Sequence, residues 1–136
     1  MNYKFILPLL LFGVLMGFAA VKGLLANLEL MYWLFIYLVC GLVLAKTSRQ
    51  KYFLNGFVLG ICISIVASLI QILFFDEYLL NNSEVNMELS KLPSSAEPKS
   101  FFIMIAPIIG LISGLVLGVF TTAFRWLTKR TNVPKV

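Results

Sequence analysis

Histidine does not occur in this chain of 136 residues, and only 12% of its residues are charged. The first absence removes the usual general base near neutral pH and the commonest metal ligand. The second removes the surface that a soluble domain presents to water, where about 25% charged residues is ordinary. Cysteine is scarce as well. Cys40 and Cys62 both lie inside apolar runs, where a thiol behaves as a small buried apolar group more readily than as a disulfide partner. No catalytic, metal or cofactor motif stands out, so no residue is assigned to such a role and no cofactor is expected.

What the chain has in excess is apolar length. Hydrophobic residues make up 60% of it, against about 45–50% in soluble domains. A protein this small has too little interior to hide that much apolar surface from water. A spanning helix needs about 20 mostly apolar residues, and four stretches meet that need: about 5–21, 28–45, 52–75 and 101–124. None holds Asp, Glu, Lys or Arg in its interior. The first stretch, FILPLLLFGVLMGFAA, also invites reading as a secretory signal. It is longer than a typical signal core, and Phe18 stands where cleavage after Ala20 needs a small residue. The expectation is therefore an all-α membrane protein, one domain of four transmembrane helices over residues 1–136.

The net charge of +5 does not form a patch of the kind that binds nucleic acid, and no nucleic-acid partner is expected. Lys4, Lys46, Arg49, Lys51, Arg125, Lys129, Arg130 and Lys135 flank the spans on one side. Lys22, Lys91 and Lys99 lie on the other, together with all six acids: Glu29, Asp76, Glu77, Glu84, Glu88 and Glu97. Excess Lys and Arg marks the cytoplasmic side, so both termini are expected inside. Tyr3, Tyr52, Phe53 and Trp126 read as anchors at the inner surface, and Tyr32, Trp33, Tyr78 and Phe101 at the outer one. Asn27 and Ser48 read as N-caps of the second and third helices.

The outer loop, 76–100, is the one sizeable polar piece. Val85, Leu89 and Leu92 fall on one face of a short amphipathic helix, which Pro93 would end. Asn81-Asn82-Ser83 fits a glycosylation triplet, a pattern that arises by chance and has no meaning in bacteria. Asp76, Glu77 and Glu84 could hold a cation, although an acidic helix end is the commoner meaning of such a group.

Two stripes of small residues carry the packing argument. Apolar side chains gain little by meeting each other in lipid, so helices associate where small residues let backbones approach. Gly110, Gly114 and Gly118 recur every fourth position in the last span, and Gly56, Gly60, Ser64 and Ser68 do so in the third. Gly13 and Gly17 add a shorter pair in the first. All nine are expected at helix contacts. Pro107 sits near the outer end of the last span, where lipid tolerates a kink if neighbouring groups satisfy the freed carbonyl. The polar residues of the third span are Asn55, Ser64, Ser68 and Gln71. They bond between helices on one reading, with Asn55 and Gln71 lining a solute path on the other.

The third span and its exit, NGFVLGICISIVASLIQILFFDEYLLNN, with Pro107 and Gly110 beyond, resemble a family of small four-helix bacterial inner-membrane proteins of unknown function. The shared pieces are Gly56, Gly60, the aromatic-acidic-aromatic exit 74–78, a polar outer loop, and a last helix with Pro and Gly. The resemblance implies a bacterial inner membrane and brings no catalytic residue with it.

Three functions compete on these grounds. A non-enzymatic integral membrane protein, serving as a structural or accessory subunit that packs against other membrane proteins, suits featureless spans. A small oligomeric transporter or channel is the alternative. Because ion-coupled transport generally keeps an ionisable group at mid-membrane, its solute would be neutral or lipid-like. A membrane enzyme is the weakest reading. The expected partners are membrane lipids, with a membrane-protein partner or a homo-oligomer.

Overall fold

The computed structural model describes residues 3–25, 28–48, 50–93 and 97–131, and every regular element among them is helical. The helices are α1 (Tyr3–Val21), α2 (Glu29–Thr47), α3 (Tyr52–Leu73), α4 (Phe75–Asn81), α5 (Ser83–Ser90) and α6 (Pro98–Thr131). Three of them, α2, α3 and α6, are long and apolar enough to cross a membrane. In α1 the described apolar stretch, Leu7–Val21, is shorter. At 1.5 Å per residue, the 34 residues of α6 reach about 50 Å, more than the roughly 30 Å of bilayer hydrocarbon. The expected span 101–124 therefore occupies only the middle of a longer rod. Pro98 opens it at a position where a missing N–H costs nothing.

The helices interlock through glycine. α3 is central, with α1 on one flank and α6 on the other, and α2 packs mainly on α6. A Cβ placed on Gly13 would lie 2.6 Å from the Ile63 carbonyl, and one on Gly17 would lie 2.9 Å from the Ile70 Cβ. On the opposite flank, a Cβ on Gly60 would lie 2.6 Å from the Ser113 carbonyl, and one on Gly56 would lie 2.7 Å from that of Leu117. Gly114 and Gly118 return the contact against Phe57 and Phe53. Leu59, Ile63, Leu117 and Cys40 fill the space between, each 1% exposed or less. Cys40 and Cys62 are free thiols.

Several local expectations are corrected by the geometry. The third helix stops at Leu73, short of the expected Phe75, because Phe74 leaves helical backbone (φ −110°, ψ 39°). The bend starts α4, whose Phe75 and Tyr78 rings each lie tilted 5.7 Å from that of Phe102 on α6. Ser48 does not cap α3; it is the extended C-cap of α2. Lys51 precedes α3 instead, in left-handed backbone (φ 53°). The expected cap Asn27 lies outside the described residues. Leu89 is the buried residue of α5, and Val85 is half-buried.

The end of α1 is closed with unusual completeness. Gly23 takes φ +66°, Leu24 N–H donates to the Ala19 carbonyl and Gly23 N–H to that of Ala20, each at 3.0 Å. This is the six-to-one and five-to-two pattern that glycine terminates most easily. Asn81 Nδ2 then donates to the Val21 carbonyl at 2.9 Å, and Asn82 Nδ2 to that of Ala20 at 2.8 Å. Two side chains from the end of α4 thus satisfy carbonyls that a helix end leaves without partners. Lys22 pairs with Glu77 beside them.

Candidate ligand cleft

The helices α2 and α6 run side by side in the same direction, and their separation varies along their length. They meet at Gly41, where an added Cβ would lie 3.2 Å from both Phe120 and Phe124. Toward the end that carries α4, they stand apart. The contact of α3 with α6 loosens at that end too: a Cβ on Gly110 would find its nearest neighbour 3.9 Å away, at Ile65. A half-open cleft of about 300 Å³ occupies the gap between α2, α3 and α6.

Its walls are largely apolar, formed by Leu34 of α2 and by Ile109, Ile112 and Val116 of α6. Set into them is a polar row from α3. Ser64, Ser68 and Gln71 stand at i, i+4 and i+7, one face of a helix, and each is at most 7% exposed. Ser113 of α6 and Tyr37 of α2 face the same space and interact through their side chains. The mouth is formed by Trp33, Tyr78 and Glu29, with the Trp33 indole Nε1 donating to Glu29 Oε1 at 3.3 Å. Burial, and then the nearby Glu29 carboxylate, push the Tyr78 phenol up to about 12. It stays neutral, and so stays a donor, at every physiological pH.

The serines of the cleft differ from the threonines elsewhere. Thr47, Thr121, Thr122 and Thr128 each donate to the carbonyl four residues before them. Ser64, Ser68 and Gln71 make no side-chain hydrogen bond among the described residues. Their polar atoms are not sealed in the protein, Arg125 Nε being the buried side-chain polar atom without a partner among the described residues. They open on the cleft, so three in one row offer donors and acceptors to whatever fills it.

Several sequence expectations change place here. Ser64 and Ser68 were expected to extend the packing stripe of Gly56 and Gly60; they line the cleft, because α3 and α6 diverge beyond Gly114. Gln71 also lies in the cleft. Asn55, its expected companion, does not: its Nδ2 donates to the Gln50 carbonyl at 3.0 Å and ties down the α2–α3 connection. Trp33 and Tyr78, read as interface anchors, turn inward as parts of the mouth. Ser113, a lone serine among glycines, carried no signal that could have singled it out. Asp76 and Glu84 are exposed and Glu77 is held by Lys22. Among the described residues no three His, Cys, Asp or Glu side chains gather as metal ligands do. At the far end of the bundle, the Arg125 guanidinium lies 5.1 Å over the Tyr52 ring and joins α6 to the start of α3.

Three apolar helices of spanning length are compatible with an integral membrane protein. Comparison of the chain with protein-family models, with curated proteins and with solved structures finds no match.

Proposed function

We propose that the chain is a non-enzymatic integral protein of the bacterial inner membrane, with α1 as a fourth span beside α2, α3 and α6. Both termini lie on the cytoplasmic side, and the protein serves as a structural or accessory subunit packed against other membrane proteins. One observation carries this reading: no Asp, Glu, Lys or Arg lies in the interior of any span, so the chain lacks the mid-membrane charge that generally couples transport to ions. Gly13, Gly17, Gly56, Gly60, Gly114 and Gly118 are used up in close contacts within the chain. Any partner would therefore meet the bulky outward faces, such as Leu7, Leu11 and Leu15 of α1. Purification in mild detergent, with identification of the co-purifying chains, tests this. A partner in fixed proportion supports it, and a chain that purifies alone overturns it.

A second reading, a small oligomeric transporter or channel for a neutral or lipid-like solute, is favoured by the cleft and its unpaired polar row. Reconstituted alone in liposomes, the protein should then pass no proton or sodium current above empty vesicles. Under this reading, Gln71→Leu should slow movement of the neutral solute.

A further inference from the structure

We infer that the α2–α3–α6 cleft is a binding site for one uncharged amphiphile whose polar head carries hydroxyl or carbonyl oxygens. The inference needs only that the protein lie in a bilayer, and it holds whether the chain acts as a subunit or as a carrier.

The chemistry of the lining selects the head. Gln71 offers two donors and an acceptor, and the hydroxyls of Ser64 and Ser68 each offer both. All three are more than nine-tenths buried and lack partners among the described residues. An oxygen-bearing head that both donates and accepts satisfies them together. A charged head is excluded on energetic grounds. The lining contains no Lys or Arg, and its one acid, Glu29, stands at the mouth. A desolvated charge without a counter-charge is too costly to hold there.

Shape selects the remainder. From Ser64 to Gln71 the polar row rises about 10 Å at 1.5 Å per residue, and Gln71 lies close to the α4 end of α3. A volume of about 300 Å³ stands at the small end of ligand pockets. It accommodates a head and the first part of an acyl chain, the rest leaving between α2 and α6, where the cleft is open. Water alone would satisfy the polar row and leave Leu34, Ile109, Ile112 and Val116 facing it. An amphiphile matches both walls at once.

Trp33 at the mouth reports occupancy directly, since bromine quenches indole fluorescence at close range. The test uses the full chain carrying Trp126→Phe, in phosphatidylcholine vesicles, titrated with a dibrominated stearoyl glycerol. The expected result is quenching that saturates at low mole fraction and is reversed by unbrominated monooleoylglycerol. Gln71→Leu should raise the half-saturating mole fraction about tenfold, near the loss of one good buried hydrogen bond. Ser68→Ala, a smaller change, should shift it in the same direction. Leu73→Ala, at a side chain 76% exposed on α3, should leave it unchanged. Quenching that rises in proportion to mole fraction, alike in parent and Gln71→Leu, would show only bulk lipid at the mouth and overturn the site. Equal saturation by dibrominated stearate would overturn its preference for an uncharged head. A Trp33→Phe chain, read through Trp126, separates these failures from a protein that is not in the bilayer, for then bromolipid quenches neither indole.

Discussion

Replacing Gly60 or Gly110 by alanine adds the same single methyl to a glycine stripe, and the structure assigns the two changes opposite signs. At Gly60 the new Cβ would lie 2.6 Å from the Ser113 carbonyl oxygen, 2.8 Å from the Gly114 Cα and 2.9 Å from the Ser113 carbonyl carbon. All three are backbone atoms of α6, so no side chain can swing aside. Ordinary contact begins near 3.4 Å, and α6 must therefore retreat by several tenths of an ångström along a whole turn. The same retreat loosens Gly56 against Leu117 and Gly118, and a gap of about 0.5–1 Å forfeits a quarter to a half of each dispersion well. Alanine recovers about 1 kcal/mol of helix propensity, but overpacking of this kind costs about 1–3 kcal/mol. The net effect is destabilising. At Gly110 the nearest atoms are side-chain carbons of Ile65 and Ile61 at 3.9 and 4.0 Å, so the propensity gain is kept and the protein is stabilised by about 0.5–1 kcal/mol. Thermal unfolding midpoints of parent and both variants in one detergent decide the matter, with Gly110→Ala expected above the parent and Gly60→Ala below it. A Gly60→Ala midpoint at or above the parent's would refute close backbone contact between α3 and α6.

Other outcomes follow from single features. Gly114→Leu should lower the midpoint strongly, because even its Cβ would lie 2.7 Å from the Phe57 carbonyl, whereas Leu115→Ile, at a half-exposed position, should change it little. Gly23→Ala should cost about 1–2 kcal/mol for its left-handed backbone, and more for the Asn81 carbonyl 2.7 Å away; the same midpoint reads both. In a chain without native cysteines, Ser90→Cys should react in intact cells with a membrane-impermeant thiol reagent, and Gln50→Cys only after the membrane is opened; the reverse would overturn the proposed orientation. Tyr78 holds its proton more tightly folded than unfolded, so its contribution is whole below pH 10 and lost as pH rises toward about 12. Tyr78→Phe should flatten that part of the alkaline decline in midpoint.

The helices were legible in the sequence because length and apolarity alone define them: a run without charge, bounded by Lys, Glu or Pro, has few other ways to satisfy its backbone. Their ends were less so. Ser48 and Asn55 looked like a cap and a lining residue. Both serve the short α2–α3 reversal instead, a task set by how tightly two helices are joined and not by local propensity. The pair Asn81-Asn82 looked like chance composition, and its use depends on α4 folding back beside the last turn of α1, sixty residues earlier in the chain. Beyond the bend at Phe74, Phe75 and Tyr78 meet Phe102, a ring distant in the sequence. The glycine stripes show the limit most clearly. Four-residue spacing identifies a helix face, and Gly110, Gly114 and Gly118 do share one. Spacing says nothing of separation, and a serine is small enough for a tight contact or for a cavity wall. Gly60 and Ser64 are one turn apart on one stripe, yet one touches the α6 backbone and the other faces open space. The difference comes from the divergence of α6 from α3 beyond Gly114 and from α2 beyond Gly41. That divergence is a property of three helices packed together, and it is also what creates the cleft.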